Sequence, residues 1–501
     1  MENEIESSST STIAQEIYTF WYNNPKYWIV LKDYEKIDKL IYDKFHDVIP
    51  IPNKYYKNKV EYLAYVIYND QFYRHFYRHL KLDLEDYIYK CRSELELILD
   101  PEYYITLDNI ELYFALMPFK HLKNYKFVLD ILSNRNLDDH LTKFYMDTLE
   151  KYSATITYSM PVKIGDYNLG EICEYYPFDF KENWFLDNKL KTCTLSKILE
   201  KTLDKHITYT ISLSGGVDSM VIISLLKLLD YNVVALHIVY GNRETSQMEC
   251  QFIRDFCEKI DVPLYVHEIE YLRRGKIDRD FYERVTRNIR FKLYRDLGNP
   301  VLTGHILEDV IENIWTNISK CQHLSNLDGM KFNEICDGVN IIRPFLKVSK
   351  SQVYNVSREL EIPYLKNTTP SWSNRGKFRT RFYQETHTQF GTTIDNKILE
   401  FSEHIRVMTY ILNQLVYKPI IDSFTIDNKI LFKQSLDLNS WMYIFETVCH
   451  TKLGINKPSI HSVRQFMDRI GRKILGKNIK VVLHKNLYVI VDDQFCQFHK
   501  I

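Results

Sequence analysis

Apolar and aromatic residues recur at three- and four-residue spacing from Ile13 through Ile17, Phe20, Trp21, Trp28 and Ile29. That is the period of a helix with one buried face. The same period returns over 59–79, 84–99, 108–116, 123–133 and 138–150. Glycine is absent from the first 164 residues, and Pro25, Pro50, Pro52, Pro101 and Pro118 fall between these patterns or near their ends. The pattern predicts an all-α unit of antiparallel helices over 13–150, preceded by a polar, Ser/Thr-rich and disordered stretch to about residue 12.

From 151 to 195 the pattern changes. The run Ala154-Thr-Ile-Thr-Tyr-Ser159 alternates as a strand does, and Gly165, Gly170 and Pro177 then break the alternation. A linker with one or two short strands is expected. A short amphipathic helix over 196–205 leads into alternating β and α patterns. Strands fit at 208–213, 233–239, 264–269, 300–303 and 340–342. Helices fit at 219–229, 245–260, 280–297, 307–319 and 349–361. This alternation predicts an α/β, doubly wound, mainly parallel sheet with helices on both faces and ligands at the carboxyl ends of its strands. Beyond 391, helices near 398–416 and 458–474 and strands at 479–484 and 487–491 predict a small C-terminal α/β domain. The chain is therefore expected to be multidomain: a helical unit over 13–150, a linker over 151–195, an α/β domain over 196–390 and a small C-terminal α/β domain over 391–501.

Composition narrows this little. Lys plus Arg equals Asp plus Glu, so any polyanion-binding patch must be local. Nine cysteines occur without a C-x-x-C spacing, which points to reduced thiols and away from a zinc knuckle. No apolar run reaches the ~18 residues of a membrane span, and no secretory leader opens the chain. A cytoplasmic protein with no membrane partner is expected.

The chemistry concentrates after the strand at 208–213. Ser214-Gly215-Gly216-Val217-Asp218-Ser219 runs straight into the apolar helical pattern of Met220, Ile223, Leu226 and Leu229. Paired glycines permit a tight turn. The next amides open a helix N-terminus, where an anion is favoured. Ser214 and Ser219 add hydroxyls. Asp218 makes sense in an anion cradle if Mg²⁺ sits between it and the phosphates. No Gly-Lys-Ser/Thr comes after it, so this is not a Walker loop. The stretch resembles the Ser-Gly-Gly-x-Asp-Ser signature of the N-type ATP pyrophosphatases, the PP-loop family, which implies ATP bound by Ser214, Gly215, Gly216, Val217, Asp218 and Ser219.

Polar residues also gather at other strand ends. They include His237, Tyr240, Gly241, Arg243 and Ser246 after the second strand, and Gly304, His305, Glu308, Asp309, Glu312 and Asn313 after the fourth. Arg287, Arg290 and Phe291 lie on a helix, Arg343-Pro344-Phe345 precedes another, and Ser373-Asn374-Arg375-Gly376-Lys377-Phe378-Arg379-Thr380-Arg381 reads as a basic loop fit for a phosphate-rich polymer. In this order, over about 207–385 and with Gly329-Met330 between, the motifs look like tRNA(Ile)-lysidine synthetase. Tyr240, Ile306 and Asn313 depart from that family's pattern, and its last arginine stretch is shortened here.

The resemblance implies ATP-dependent activation of a wobble cytidine of tRNA as an adenylate, pyrophosphate release, and displacement of AMP by free lysine. On that basis Asp218, His305, Asp309 and Glu312 are the catalytic candidates, with Asp218 also the metal ligand. His237 joins the ATP site. Arg243, Arg287, Arg290, Arg343, Arg375, Arg379 and Arg381 are the candidates for tRNA contact. In its broad pattern 391–501 resembles the substrate (tRNA)-binding domain that follows the core in that family. A homodimer is left open. Two alternatives remain besides an amide-forming ligase on a small molecule, which would not need the basic 373–381 stretch or a C-terminal domain. One is tRNA thiolation, whose enzymes resembling this class use paired cysteines, whereas Cys250 and Cys257 here are seven apart on one helix and read as core. The other is a non-catalytic ATP- or tRNA-binding adaptor.

The segments Phe20-Trp-Tyr, Asn69-Asp-Gln-Phe-Tyr-Arg74, Tyr77-Arg78 and Met117-Pro-Phe-Lys-His121 resemble an uncharacterised α-helical family with a tetratricopeptide-like fold, over about 13–150. Asp70, Arg74 and Arg78 are spaced for local ion pairs on one helix face.

Overall fold

The computed structural model describes residues 2–25, 34–48, 58–82, 104, 106–133, 135–158, 173–174, 184–189, 192–242, 244–272, 277–366, 374–433, 435–455 and 457–500, with backbone alone for 2–11, 186, 189, 325 and 374. Helix α1 (Glu2–Tyr22) begins well before Ile13, so the Ser/Thr-rich stretch is helical rather than disordered. Extending a nucleated helix costs little per residue. Helix α2 (Tyr34–Phe45) is absent from the sequence expectation although Ile37, Ile41 and Phe45 recur at helical spacing; its buried face adds the charged Asp38 to Ile41 and Phe45. Asn58 caps α3 (Lys59–Val66) by accepting from the Val60 and Glu61 amides. A π turn (Ile67–Phe72) joins it to α4 (Tyr73–His79). A capping box of Asp108 and Glu111 opens α5 (Asn109–His121), which carries Pro118 inside it. Helices α6 (Tyr125–Ser133) and α7 (Asp139–Ser153) come next. Residues 154–158 form no strand: Ala154 and Thr155 turn back on the end of α7, their amides bonded to Lys151 and Tyr152 carbonyls. The helix expected over 84–99, together with Trp28 and Ile29, lies outside the described residues.

The α/β region runs β1 (Cys173–Glu174), α8 (Trp184–Lys189), α9 (Thr194–Thr202), β2 (Tyr209–Ser212), α10 (Val217–Leu228), β3 (Val233–Val239), α11 (Ser246–Lys259), β4 (Leu264–Glu268), α12 (Arg279–Leu297), β5 (Val301–Leu302), α13 (Leu307–Ser319), β6 (Asn333–Cys336), β7 (Val339–Ile342), α14 (Lys350–Glu359) and β8 (Tyr364–Leu365). The basic stretch after it is not a loop. From Asn374 it is helical, as α15 (Asn374–Lys377) and a π turn (Phe378–Phe382) leading into α16 (Tyr383–Phe390). Helix α17 (Ile394–Leu412), a second π turn (Asn413–Tyr417) and α18 (Lys418–Asp422) precede a C-terminal domain of β9 (Lys429–Leu431), α19 (Leu438–Val448), α20 (Ile460–Gly471), β10 (Ile479–His484), β11 (Leu487–Val491) and β12 (Phe495–Lys500).

Two compact units divide the chain: Met1–Tyr167 with Ala235–Asn299 and Asp337–Val339, and Asn168–Val234 with Pro300–Cys336 and Asn340–Ile501. In the first, aromatic side chains from distant helices form the helical core. Trp21 meets Phe72 and Phe114 at 5.7 and 5.4 Å, and Phe45 meets Phe72 at 4.7 Å. Strands β3 and β4 pair in parallel, Ala235 opposite Leu264. The motif residues reach across helices rather than along one. Arg78 forks onto Asp38, whose carboxylate also accepts from His75 Nδ1 at 2.6 Å, while Arg74 and Asp70 both meet His121. Two buried carboxylates gather these donors, because a buried charge without a partner is costly.

His75 makes this network pH-sensitive. Burial holds its pKa below the ordinary value against the pull of Asp38. The unfolded chain therefore takes up a proton that the native imidazole refuses, so stability is full above about pH 6.5 and falls as pH drops below it. Hydrogen-exchange protection of α2 and α4 in the full chain should fall between pH 7.5 and 5.5, values set about one unit either side of the unfolded pKa. His75→Gln should flatten that dependence; an unchanged slope would show the histidine is not responsible.

In the second unit the strand order is β2-β5-β7-β6. Strands β2 and β5 are parallel, as are β5 and β7. Strand β1 pairs antiparallel with β8. The C-terminal sheet is antiparallel in the order β10-β11-β12-β9, and its core joins Trp441, Phe445, Phe466 and Phe498. Helix α19 and strands β9 and β12 are absent from the sequence expectation. Among the described residues no helix is long and apolar enough to cross a membrane.

Candidate nucleotide site

The site begins where β2 ends. Gly215 takes φ 78, a left-handed turn that a side chain would strain. Gly216 then N-caps α10 with φ −70 and ψ 155 and has no side chain to close off the first amides of the helix. Those amides and the helix dipole favour an anion. Nearly every side chain of α10 is buried, so the helix cannot tilt to relieve a misfit at its mouth. The two serines brace the turn. Ser219 Oγ lies 3.1 Å from Ser214 Oγ, donates to the Gly216 carbonyl at 3.0 Å, and is 3% exposed with its residue. The Gly215 carbonyl accepts from the Leu365 amide at 2.8 Å.

The end of β5 packs directly behind this turn. A Cβ on Gly304 would lie 3.0 Å from the Ser219 nitrogen and 3.1 Å from Asp218 Cβ. Only glycine permits that approach. It places His305 and the first turn of α13 beside the cradle, with His305 Nδ1 2.8 Å from Thr303 Oγ1. Asp309 Oδ2 accepts from the Ile306 amide at 3.0 Å, so the carboxylate caps its own helix. Its other oxygen meets Arg375 Nη2 at 2.6 Å and Arg379 Nη2 at 2.5 Å. Glu312 takes the same two guanidiniums, at 3.0 Å to Arg375 Nε and 3.3 Å to Arg379 Nε. Arg375 and Arg379 are one turn apart, and gripping this carboxylate pair is what holds 374–382 helical. Burial pushes the Asp309 carboxyl up, but Arg379, His305 and Arg375 outweigh it and hold it below the usual range.

Asp218 has a partner the sequence did not reveal. Lys350 Nζ lies 2.9 Å from Oδ1 and 2.8 Å from Oδ2. Burial raises the Asp218 pKa, and Lys350 opposes that rise. The Lys350 amide donates to Glu308 Oε1 at 2.8 Å, and Glu308 Oε2 is buried with no partner among the described residues. No group of three or more His, Cys, Asp or Glu side chains is arranged to hold a metal among the described residues. The donor set nevertheless fits Mg²⁺ carried with a nucleotide, which typically uses one or two carboxylates and takes its remaining ligands from phosphates and water.

Arg343 is turned to the β6 side, donating to the Lys331 carbonyl and to Glu334. Arg381 is exposed. In the first unit, His237 is buried on β3, Arg287 pairs with Asp337 at 2.9 Å, and Tyr240 and Tyr294 favour the charge of Arg290 against its burial. Arg243 and Ser373 lie outside the described residues.

Residues 188–385, which carry the cradle, α13, Lys350 and the two arginines, match the PP-loop domain family. The chain is 28% identical over 241 residues to a tRNA(Ile)-lysidine synthase of Chlamydia muridarum, covering 47% of this chain and 74% of that one. It is 28% identical over 208 residues to a tRNA(Ile)-lysidine synthase of Chlamydia trachomatis, covering 40% of this chain and 64% of that one. Among solved structures it is similar to a U34-tRNA thiolase of Methanococcus maripaludis, at 20% identity and a TM-score of 0.36 over 45% of this chain and 80% of that one. Residues 188–385 are thus a PP-loop domain. Within that class the domain is lysidine synthetase-like.

Proposed function

We propose that this chain is an ATP-dependent ligase that modifies tRNA by the lysidine reaction. The observation that carries this reading is the joining of two half-sites by Gly304: a phosphate cradle on α10 and a cation-gripping carboxylate pair, Asp309 and Glu312, on α13. The cradle suits the triphosphate of ATP. The carboxylate pair suits an amine, since it already grips two guanidiniums. A lysidine synthesis needs both, because the O2 oxygen of a tRNA cytidine attacks the α-phosphorus of ATP, pyrophosphate leaves, and the lysine ε-amine then attacks C2 and expels AMP.

In this reading the α10 amides and the Gly215-Gly216 turn hold the phosphates and align the α-phosphorus. Mg²⁺, held by Asp218, would neutralise the departing pyrophosphate. Asp309 and Glu312 orient the lysine amine and take its proton, with His305 beside them. Arg375 and Arg379 trade the carboxylates for tRNA phosphate as the amine arrives. Arg381, exposed two residues beyond Arg379, supplies a further tRNA contact. Free lysine, magnesium and a cytoplasmic setting belong to the same reading.

Cys250 and Cys257 give thiolation no support. Burial pushes the Cys250 and Cys257 thiols up to about 11 and about 12, so neither is a ready thiolate.

Asp218→Ala separates an enzyme from an adaptor. Pyrophosphate release from ATP in the presence of tRNA and lysine should fall by about a thousandfold, on the scale of lost transition-state charge stabilisation. Release that survives at the parent rate would leave ATP binding without a role for this carboxylate.

A further inference from the structure

The two oxygens of Asp218 have two competing uses. The Mg²⁺ reading assigns them to a divalent cation, and both also accept from one ammonium, Lys350 Nζ, at 2.9 and 2.8 Å. Lys350 is held firmly in that position. It is the first residue of α14, its amide is bonded to Glu308, and its Nζ lies 5.3 Å from the Tyr354 ring centre. Its side chain keeps 29% exposure against 19% for Asp218, so the ammonium lies on the more open side of the pair. Beside it, Glu308 Oε2 is a buried acceptor with no partner among the described residues. Such an atom marks a place where charge or hydrogen bonding is incomplete. An ammonium on a flexible stem binds phosphate as readily as carboxylate, as a compact point charge.

We propose that Lys350 couples metal and nucleotide binding: its ammonium competes with a divalent cation for Asp218, and when the carboxylate turns to the metal, Lys350 takes a phosphate oxygen of the nucleotide. Charge balances in the exchange. One carboxylate–ammonium pair becomes a carboxylate–metal contact and an ammonium–phosphate contact. Lys350 is thereby a nucleotide-binding residue outside the Ser-Gly-Gly-x-Asp-Ser stretch. The proposal rests on reading the cradle as an ATP site, but on neither tRNA nor lysine.

The test uses the full chain without tRNA or lysine. Free Mn²⁺ is followed by electron paramagnetic resonance, and ATP binding by calorimetry with and without Mg²⁺. Lys350→Gln should bind Mn²⁺ alone about tenfold more tightly, because the carboxylate is released, and bind ATP at saturating Mg²⁺ about tenfold more weakly, a change of one decade in each constant. Lys350→Arg should restore much of the ATP affinity. Asp218→Asn, close in shape and free of the buried charge, should bind metal-free ATP at least as tightly as the parent and lose the gain from Mg²⁺. Unchanged Mn²⁺ and ATP affinities in Lys350→Gln would overturn the proposal. Should that variant not fold, weakened metal-free ATP binding in Asp218→Asn would overturn it. A protein that binds no ATP refutes the nucleotide reading, and the Mn²⁺ arm still decides whether Lys350 competes for Asp218.

Discussion

Gly304→Ala should abolish most ATP-dependent turnover while leaving a folded protein. The added methyl would lie 3.0 Å from the Ser219 nitrogen, 3.1 Å from Asp218 Cβ and 3.2 Å from the Asp218 carbonyl carbon. Two of those atoms are backbone in the first turn of α10 and cannot rotate away. No left-handed φ is involved at Gly304, so the effect is steric displacement alone. Something must shift, and the shift separates the cradle from the carboxylate helix. Misplacement by ~1 Å can cost about a hundredfold in rate. Overpacking should cost about 1–3 kcal/mol of stability. Turnover should therefore fall much further than the melting temperature suggests. Parent-like turnover would mean that the apposition of β5 and α10 does not matter to the chemistry.

The second large effect is expected from Asp309→Asn combined with Glu312→Gln. The carboxylates are 5% and 10% exposed, but Arg375 and Arg379 keep 52% and 31% exposure. The guanidiniums can thus move into water when the charges are removed. Breaking a fully buried pair costs about 3–5 kcal/mol, and exposure of this kind reduces it to roughly 1–2. Activity should fall far more, by about a thousandfold, if the pair handles the amine. The distinguishing measurement is the split between constants. KM for lysine should rise with kcat falling, while KM for ATP stays near the parent value. A rise confined to the ATP constant would place the pair in the nucleotide site instead.

Sequence reading reached the parts of this molecule whose causes are local. Ser214 to Ser219 is strand, glycine turn and helix within one short span, and each step has its own residue signal. The α/β alternation is read the same way, and the helices and strands fall close to their expected spans. The rest depends on residues that meet only after folding. Lys350 lies 132 positions from Asp218, and a single lysine following a serine cap carries no local mark of that contact. Gly304 is visible as a motif glycine, but its reason is the backbone of α10. The stretch at 373–381 reads as a loop because it lacks an apolar period. Its described part, from Asn374, is helical because Arg375 and Arg379 are held by charge, which hydrophobic periodicity cannot register. In α2 the apolar period of Ile37, Ile41 and Phe45 is present in the sequence, but nothing local shows that Asp38 is buried and pairs with His75 and Arg78 from α4. In the C-terminal domain, β9 has only three residues, and β12 (Phe495–Lys500) contains no β-branched residue to mark it as a strand.

The most direct measurement is the fate of labelled lysine with the pure full chain, ATP, Mg²⁺ and total tRNA. The account predicts that label enters RNA only when ATP and the chain are both present, with one pyrophosphate and one AMP released for each lysine incorporated. Pyrophosphate release at the same rate without lysine, or with lysine absent from the RNA, would contradict it.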